Sequence, residues 1–338
     1  MAKIFLTGAT GYIGGTVLSL LAKSHPEYAV RALVRDSSKG ETVTDAFPKV
    51  EVVNGDLDDA DVLTGEASDA DVVLNLASTS HLKSVWTIHK AIASRSAKEA
   101  AHWIQISGAS ALAAAELADE DHIPGSGSDV IFNDLAGIAE LRSFIQKHPS
   151  RAVDNYVLNV AVDEPAVNTA LVFPPIIYGK GLGPSNQRSV QIPELVRATL
   201  ERKRGLQVGK GLSRWGNVHI EDVGQLIVRL VEKAVEAKDE GEVWNQNGLY
   251  LTGVGEITFG EISELVATEA AKKGLIPTDD VDEIGPEEAD SVLPHGTVLY
   301  GTNARSEALR GKEVLGWTPT EESLQDEIPR TVVSEARA

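Results

Sequence analysis

Thr7-Gly8-Ala9-Thr10-Gly11-Tyr12-Ile13-Gly14-Gly15 is the stretch on which the fold turns. It directly follows Lys3–Thr7, an apolar run of strand type, and opens Tyr12–Lys23, where Ile13, Val17, Leu20 and Leu21 recur at helical spacing. Gly8 and Gly11 remove the Cβ atoms that would block a tight turn and the close approach of a diphosphate. Gly14 lets the helix press onto the strand. The free N–H groups and partial positive charge of a helix start then suit a diphosphate. Strand, glycine turn and helix in this order point to a dinucleotide-binding unit.

Outward from this turn, strand-type runs alternate with helical ones. Strands are expected at Tyr28–Val34, Val50–Asn54, Asp71–Leu76, Trp103–Ser107 and Val167–Phe173. Helices are expected at Asp58–Glu66, Lys83–Ala100, Leu135–Lys147 and Val153–Val160. Such alternation implies right-handed crossovers and a parallel sheet covered on both faces. After Pro174-Pro175 the pattern loosens. Helical stretches at Val190–Arg202, Glu221–Val235 and Thr258–Lys273 enclose short strand candidates at Leu206–Val208 and Val243–Gln246. Asp279–Asp290, acidic and broken by Pro and Gly, reads as an exposed loop. The division expected is a doubly wound α/β domain over residues 1–175 and a smaller mixed α/β substrate lobe over 176–338, with segments interleaved.

The 338 residues carry 31 Lys and Arg against 50 Asp and Glu, a net charge of −19. That field repels phosphate backbones and anionic lipid, so neither nucleic acid nor membrane is expected as a partner. Any anionic ligand must be held by local amides and placed cations. Without cysteine there is no disulfide, zinc-thiolate site or thiol nucleophile. No apolar run approaches the ~20 residues that span a bilayer, and neither end carries a leader or lipidation pattern, so a cytoplasmic protein is expected. Asp56-Leu57-Asp58-Asp59-Ala60-Asp61 is not a calcium loop. Asp61 and Ala67 stand where glycine and glutamate are needed, and no metal is expected.

The TGxxGxxG spacing resembles the short-chain dehydrogenase/reductase superfamily, and further segments resemble its extended branch of epimerases, dehydratases and reductases. Gly55-Asp56-Leu57 is similar to the adenine-contacting pair, and Asn75-Leu76-Ala77-Ser78 to the segment lining the cofactor. Phe173-Pro174-Pro175-Ile176-Ile177-Tyr178-Gly179 resembles the stretch beside the nicotinamide. Val218-His219-Ile220-Glu221-Asp222-Val223 and Gly241-Glu242-Val243-Trp244-Asn245 are similar to two signatures of the second lobe. The resemblance implies a Rossmann fold and a homodimer. It also implies cofactor contacts from Gly8, Thr10, Gly11, Tyr12, Ile13, Gly14, Asp56, Leu57, Leu76, Ala77, Ser78, Pro174 and Ile177.

Cofactor choice turns on Val34-Arg35-Asp36. An acidic residue at this strand tip reads the ribose of NAD, whereas arginine pairs with the extra phosphate of NADP. Arg35, with Lys39 as a second cation, points to NADP; NAD is the alternative, with Asp36 on the ribose. The family's catalytic Tyr and Lys, four residues apart, are missing. Tyr156 is the one tyrosine between Ser110 and Phe173, and Val160 stands four residues on. Ser107 fills the family's serine position, and His81 is the candidate acid or base, an imidazole suited to proton transfer near neutrality. Ser110, Tyr178 and Trp215 are candidates for the substrate pocket. Asn133-Asp134 either borders the pocket or caps the helix at Leu135. The leading expectation is an NADP(H)-dependent oxidoreductase acting on a small carbonyl or alcohol. A non-catalytic NAD(P)-binding regulator or redox sensor and a nucleotide-sugar epimerase or dehydratase are the alternatives.

Overall fold

Four of the five residues of Lys3–Thr7 are buried, and they form β1 of the computed structural model, which describes residues 1–95, 101–236 and 241–337. There follow α1 (Tyr12–Ser24), β2 (Ala29–Val34), α2 (Ser37–Ala46), β3 (Glu51–Asn54), α3 (Ala60–Asp69), β4 (Val72–Asn75), α4 (Leu82–Ala93) and β5 (Ala101–Ile106). Next come α5 (Ala114–Ala118), β6 (Ile131–Asn133), α6 (Ile138–Gln146), α7 (Ala152–Asp163), β7 (Val167–Phe173), β8 (Ile176–Tyr178), α8 (Gln191–Arg202), β9 (Gly205–Val208), β10 (Arg214–His219) and α9 (Ile220–Glu236). The remainder is β11 (Leu249–Leu251), β12 (Gly255–Thr258), α10 (Phe259–Lys272), β13 (Val281–Ile284), α11 (Pro286–Val292), α12 (Gly296–Gly301), β14 (Arg305–Glu307), α13 (Arg310–Leu315) and α14 (Leu324–Glu335). Residues 96–100 of the expected Lys83–Ala100 helix lie outside the described residues.

Seven strands make one sheet in the order β11-β7-β5-β4-β1-β2-β3, with every pair parallel. Chain order reverses between β1 and β4, so the segments that leave the paired carboxyl ends of these two strands part and leave the crevice in which such sheets bind ligands. Neighbouring residues of each strand serve opposite faces. Phe5, Val73, Trp103 and Leu171 enter one core, whereas Ile4, Leu6, Leu74, Ile104 and Val172 enter the other, which α1 and α9 share. Burial on both sides is why these strands read as unbroken apolar runs. Within this core His102 is held by Asn168 Nδ2 at 3.0 Å and packs on Trp244. Burial drives its pKa down to about 4. Between that value and about 6.5, the unfolded chain binds a proton that the folded one refuses, so stability rises with pH there. Denaturant midpoints from pH 4 to 7 should show this slope, and His102→Gln should flatten it.

The other strands form smaller sheets: β12-β10-β8, β13 beside β9, and β14 beside β6. Thus β11, late in the chain, joins the large sheet, and β6, early in the chain, pairs with β14. Two expectations are corrected. Val243–Gln246 is not a strand. Asn245 sits in the left-handed region at φ 61, and its Oδ1 accepts the Thr169 N–H at 2.9 Å, so the strand begins only at Leu249. Asp279–Asp290 is not a loop but β13 and the start of α11. Its charges are met by Arg204 on Asp280 and Asp282 and by Arg202 on Glu288. Pairing with β9 is a non-local gain that acidic composition hides.

Candidate functional site

At Gly8 the chain turns with φ +85, and a Cβ there would lie 2.8 Å from the Leu76 carbonyl carbon. The Gly11 N–H closes the turn on Gly8 O at 2.9 Å, and Gly15 N–H to Gly11 O, also 2.9 Å, begins the ladder of α1. Gly11 caps α1 without a side chain. Among the described residues, no acceptor meets the N–H groups of Tyr12, Ile13 and Gly14. Such a helix start is an anion site, with donors and dipole directed outward. The segment 179–187 straps it from above. Tyr12 Oη donates to Gly179 O at 2.6 Å, Asn186 N–H to Thr10 O at 3.3 Å, and Leu182 N–H to Thr16 Oγ1 at 3.1 Å.

The turn opens into a cleft of about 670 Å³. Of the residues expected at a cofactor, Gly8, Thr10, Gly11, Tyr12, Ile13, Gly14, Arg35, Asp56, Leu57, Leu76, Ala77 and Ile177 line it, and so does His81. Lys39, Ser78 and Pro174 are not among the residues that line it. The Lys39 N–H turns to Asp36, Ser78 O accepts Gln105 Nε2 at 3.1 Å, and Pro174 O accepts Ala109 N–H at 3.0 Å while Pro175 faces the cleft. Ser189, Val190 and Gln191 also line it. No motif marks them in the sequence; the fold carries them there at the start of α8.

At the rim, Asp36 is the N-cap of α2. Its Oδ1 accepts Ser38 N–H at 2.9 Å, Ser38 Oγ at 2.8 Å and Lys39 N–H at 3.3 Å. The Ser38 hydroxyl and these amides hold its carboxyl below the usual range. Arg35 is exposed on the cleft wall, with no ion pair among the described residues.

The two residues expected to share catalysis are not joined by a hydrogen bond. His81 caps α4 by accepting Ser84 N–H on Nδ1 at 3.2 Å, and its Nε2 lies 3.7 Å from Asp58 Oδ1, on the Asp56–Asp58 side of the cleft. Ser107 is buried at the end of β5, where its hydroxyl accepts Arg151 Nη2 at 3.3 Å. Ser110 accepts Arg151 Nη1 at 3.4 Å. Tyr178 and Trp215 lie outside the cleft. Tyr178 Oη donates to Glu322 O at 2.7 Å, and Trp215 Nε1 donates to Thr302 O at 2.9 Å with its ring against Phe259. Both satisfy their one polar atom within the core that Phe5 and Trp103 also enter, as buried aromatics of this kind do. Tyr156 bonds His89 Nδ1 at 2.8 Å.

Asp222, in the first turn of α9, accepts Thr320 N–H at 2.9 Å and Glu321 N–H at 3.4 Å from the segment ahead of α14. Ligand-type atoms of His219, Glu221 and Glu321 lie within 4.8 Å of one another, but the imidazole lone pair already accepts Glu221 N–H at 3.3 Å. Asn133 Oδ1 takes Leu135 and Ala136 N–H, both at 2.9 Å, in the turn ahead of α6. The helix expected from Leu135 starts only at Ile138, with Gly137 as its cap, and Asp134 is wholly buried elsewhere.

The profile of the NAD dependent epimerase/dehydratase family matches residues 4–245. Over 341 residues the chain is 36% identical to oxidase ucsJ of an Acremonium species, covering 99% of this chain and 97% of that one. Among solved structures, it is similar to dTDP-glucose 4,6-dehydratase of Bacillus anthracis in complex with NAD. That match has a TM-score of 0.67 and 16% identity over 98% of this chain and 96% of the other. UDP-glucuronic acid 4-epimerase of Bacillus cereus, in complex with UDP-glucuronic acid and NAD, gives a TM-score of 0.65 and 14% identity over 99% of each. At those identities the structural likeness shows the fold.

Proposed function

Since the chain belongs to the NAD dependent epimerase/dehydratase family, we propose that it is an NADP(H)-dependent oxidoreductase acting on a small carbonyl or alcohol substrate. The observation that carries this reading is the set of unmet amides of α1, opening into a cleft with Arg35 on its rim. The diphosphate would take the Tyr12, Ile13 and Gly14 amides, and Gly8 keeps the turn free of side-chain bulk beside Leu76 and Ala77. Leu57 and Asp56 would flank the adenine, with Leu76, Ala77 and Ile177 along the opposite arm. Bound there, the cofactor supplies hydride-transfer chemistry, and the protein supplies orientation and hydrogen bonding.

NADP is favoured over NAD because Arg35 stands exposed on the cleft wall with no ion pair among the described residues, left to meet a phosphate. Asp36 is held as the cap of α2 through Oδ1 and keeps only Oδ2 for a ribose. A charge-assisted contact of this kind is worth about 1.5–3 kcal/mol, so Arg35→Ala should weaken NADPH about 10- to 100-fold and leave NADH unchanged. Fluorescence titration with both coenzymes checks this, and equal affinities unaffected by the substitution would refute the NADP assignment.

An oxidoreductase is favoured over a nucleotide-sugar enzyme because the exit of β7, Val172-Phe173-Pro174-Pro175, is apolar and buried, with no polar group for a sugar. The relative at 36% identity is also named an oxidase. A regulator that binds the same coenzyme without turnover is separated by NADPH consumption across a carbonyl panel.

A further inference from the structure

At the carboxyl end of β5 the chain turns through Ser107, Gly108, Ala109 and Ser110. The Ala109 N–H to Pro174 O bond sets this turn against the stretch whose Pro175 and Ile177 line the cleft. Arg151, the cap residue of α7, reaches into it. Its Nε donates to Asp154 Oδ2 at 2.9 Å, an ordinary strong bond, while Nη1 and Nη2 reach Ser110 and Ser107 only at 3.4 and 3.3 Å. Asp154, 1% exposed, therefore fixes the plane of the guanidinium and turns its fork toward the two hydroxyls. Asp154 Oδ1 has no hydrogen-bond partner, so Arg151 is the cation that neutralises this carboxylate. The Arg151 side chain keeps 19% of its surface, and Gly108 and Ser110 are half-buried, so the fork is reachable.

Two guanidinium nitrogens and two hydroxyls, four donors in loose mutual contact, converge on one spot at the start of a twelve-residue helix. We propose that Arg151, with Ser107 and Ser110, anchors a carboxylate on the substrate, which makes the substrate a small carbonyl or hydroxy acid. This rests on the reading of the cleft given above. Guanidinium and carboxylate are matching planar forks, and a bidentate pair is shorter and stronger than the two serine contacts it would replace. The Ser110 O–H, whose oxygen only accepts from Arg151, can donate to the same group, and the helix start adds partial positive charge beyond the one Asp154 offsets. Arginine stays protonated at working pH and passes no proton, so its role is to anchor and orient.

Oxalate is the probe, titrated calorimetrically into the NADP⁺-loaded protein and into the cofactor-free protein. Wild type should bind it. Arg151→Lys should weaken binding at least about 10-fold, because the fork is lost while the charge remains. Ser110→Ala should give a smaller loss, and Arg151→Met/Asp154→Asn should abolish binding without stranding a buried carboxylate. NADPH affinity should be unchanged in all three. If the double variant fails to fold, Arg151→Lys and Ser110→Ala decide. Absence of oxalate binding by wild type, or equal binding by Arg151→Lys and wild type, overturns the anchor. Failure to bind NADPH would sink the proposed function instead, and the cofactor-free oxalate titration would still decide this one.

Discussion

Gly14→Ala should abolish coenzyme binding, with no heat from NADPH or NADH at concentrations where wild type saturates. A Cβ at this position would lie 2.2 Å from Gly8 O and 2.6 Å from Gly8 C. Both obstacles are backbone, so no side chain can swing aside; the turn and α1 must separate. Elsewhere in a helix the same substitution gains about 1 kcal/mol through alanine's propensity, and Gly65 in α3, with nothing within 4 Å, supplies the control. Gly65→Ala should raise stability slightly and leave affinity alone. In Gly14→Ala the clash outweighs that gain. Separation of the turn from the helix displaces Gly8 and the three free amides together, and an affinity loss beyond about 100-fold, some 2.7 kcal/mol, follows. Wild-type affinity in Gly14→Ala would remove the α1 amides from the account of binding.

What could be read in advance follows from how locally each feature is determined. Lys3–Thr7 and Val167–Phe173 were legible to the residue because strands buried on both faces spell themselves as apolar runs. The cleft around Gly8, Arg35 and Leu76 was legible because each stands at a strand's carboxyl end, where the sheet's topology puts the site. Other features depend on distant partners. β6 and β14 are three residues each, and Arg305 opposes Ile131 across most of the chain, so neither run carries a signal of its own. The α2 stretch, rich in Ser, Thr and Gly, has weak helix propensity and holds through the Asp36 cap and two buried residues, Gly40 and Val43. Tyr178 and Trp215 show the opposite failure. Their positions beside family-like motifs suggested a pocket, but side-chain direction and polar partner are set by the distant carbonyls of Glu322 and Thr302, which sequence spacing does not resolve.

Asp134 is the residue whose importance was least visible, and its removal should cost the most stability. It follows Asn133, which holds the turn ahead of α6, and its own carboxylate turns inward, 0% exposed. Oδ1 accepts Leu309 N–H at 2.8 Å and Arg310 N–H at 2.9 Å; Oδ2 accepts Leu251 N–H at 2.9 Å. One side chain thus ties the end of β11 in the large sheet to the start of α13. Burial pushes its pKa up, and the three amides oppose that shift. Asp134→Ala strands three donors at once, two of them buried and that of Leu309 partly so. Each unmet donor costs about 1–3 kcal/mol, relieved in part where water enters the vacated space, so a net loss of about 3–5 kcal/mol is expected. Asp134→Asn should lose less, since its oxygen still serves two amides while its NH₂ faces the third. Asn133→Ala, which removes a half-buried acceptor from the turn ahead of α6, should cost about 1 kcal/mol. Denaturant midpoints rank the three, and calorimetry on the folded protein should find coenzyme affinity intact, because Asp134 lies outside the cleft. If Asp134→Ala proves no worse than Asn133→Ala, then the coupling of β11 to α13 rests on packing alone.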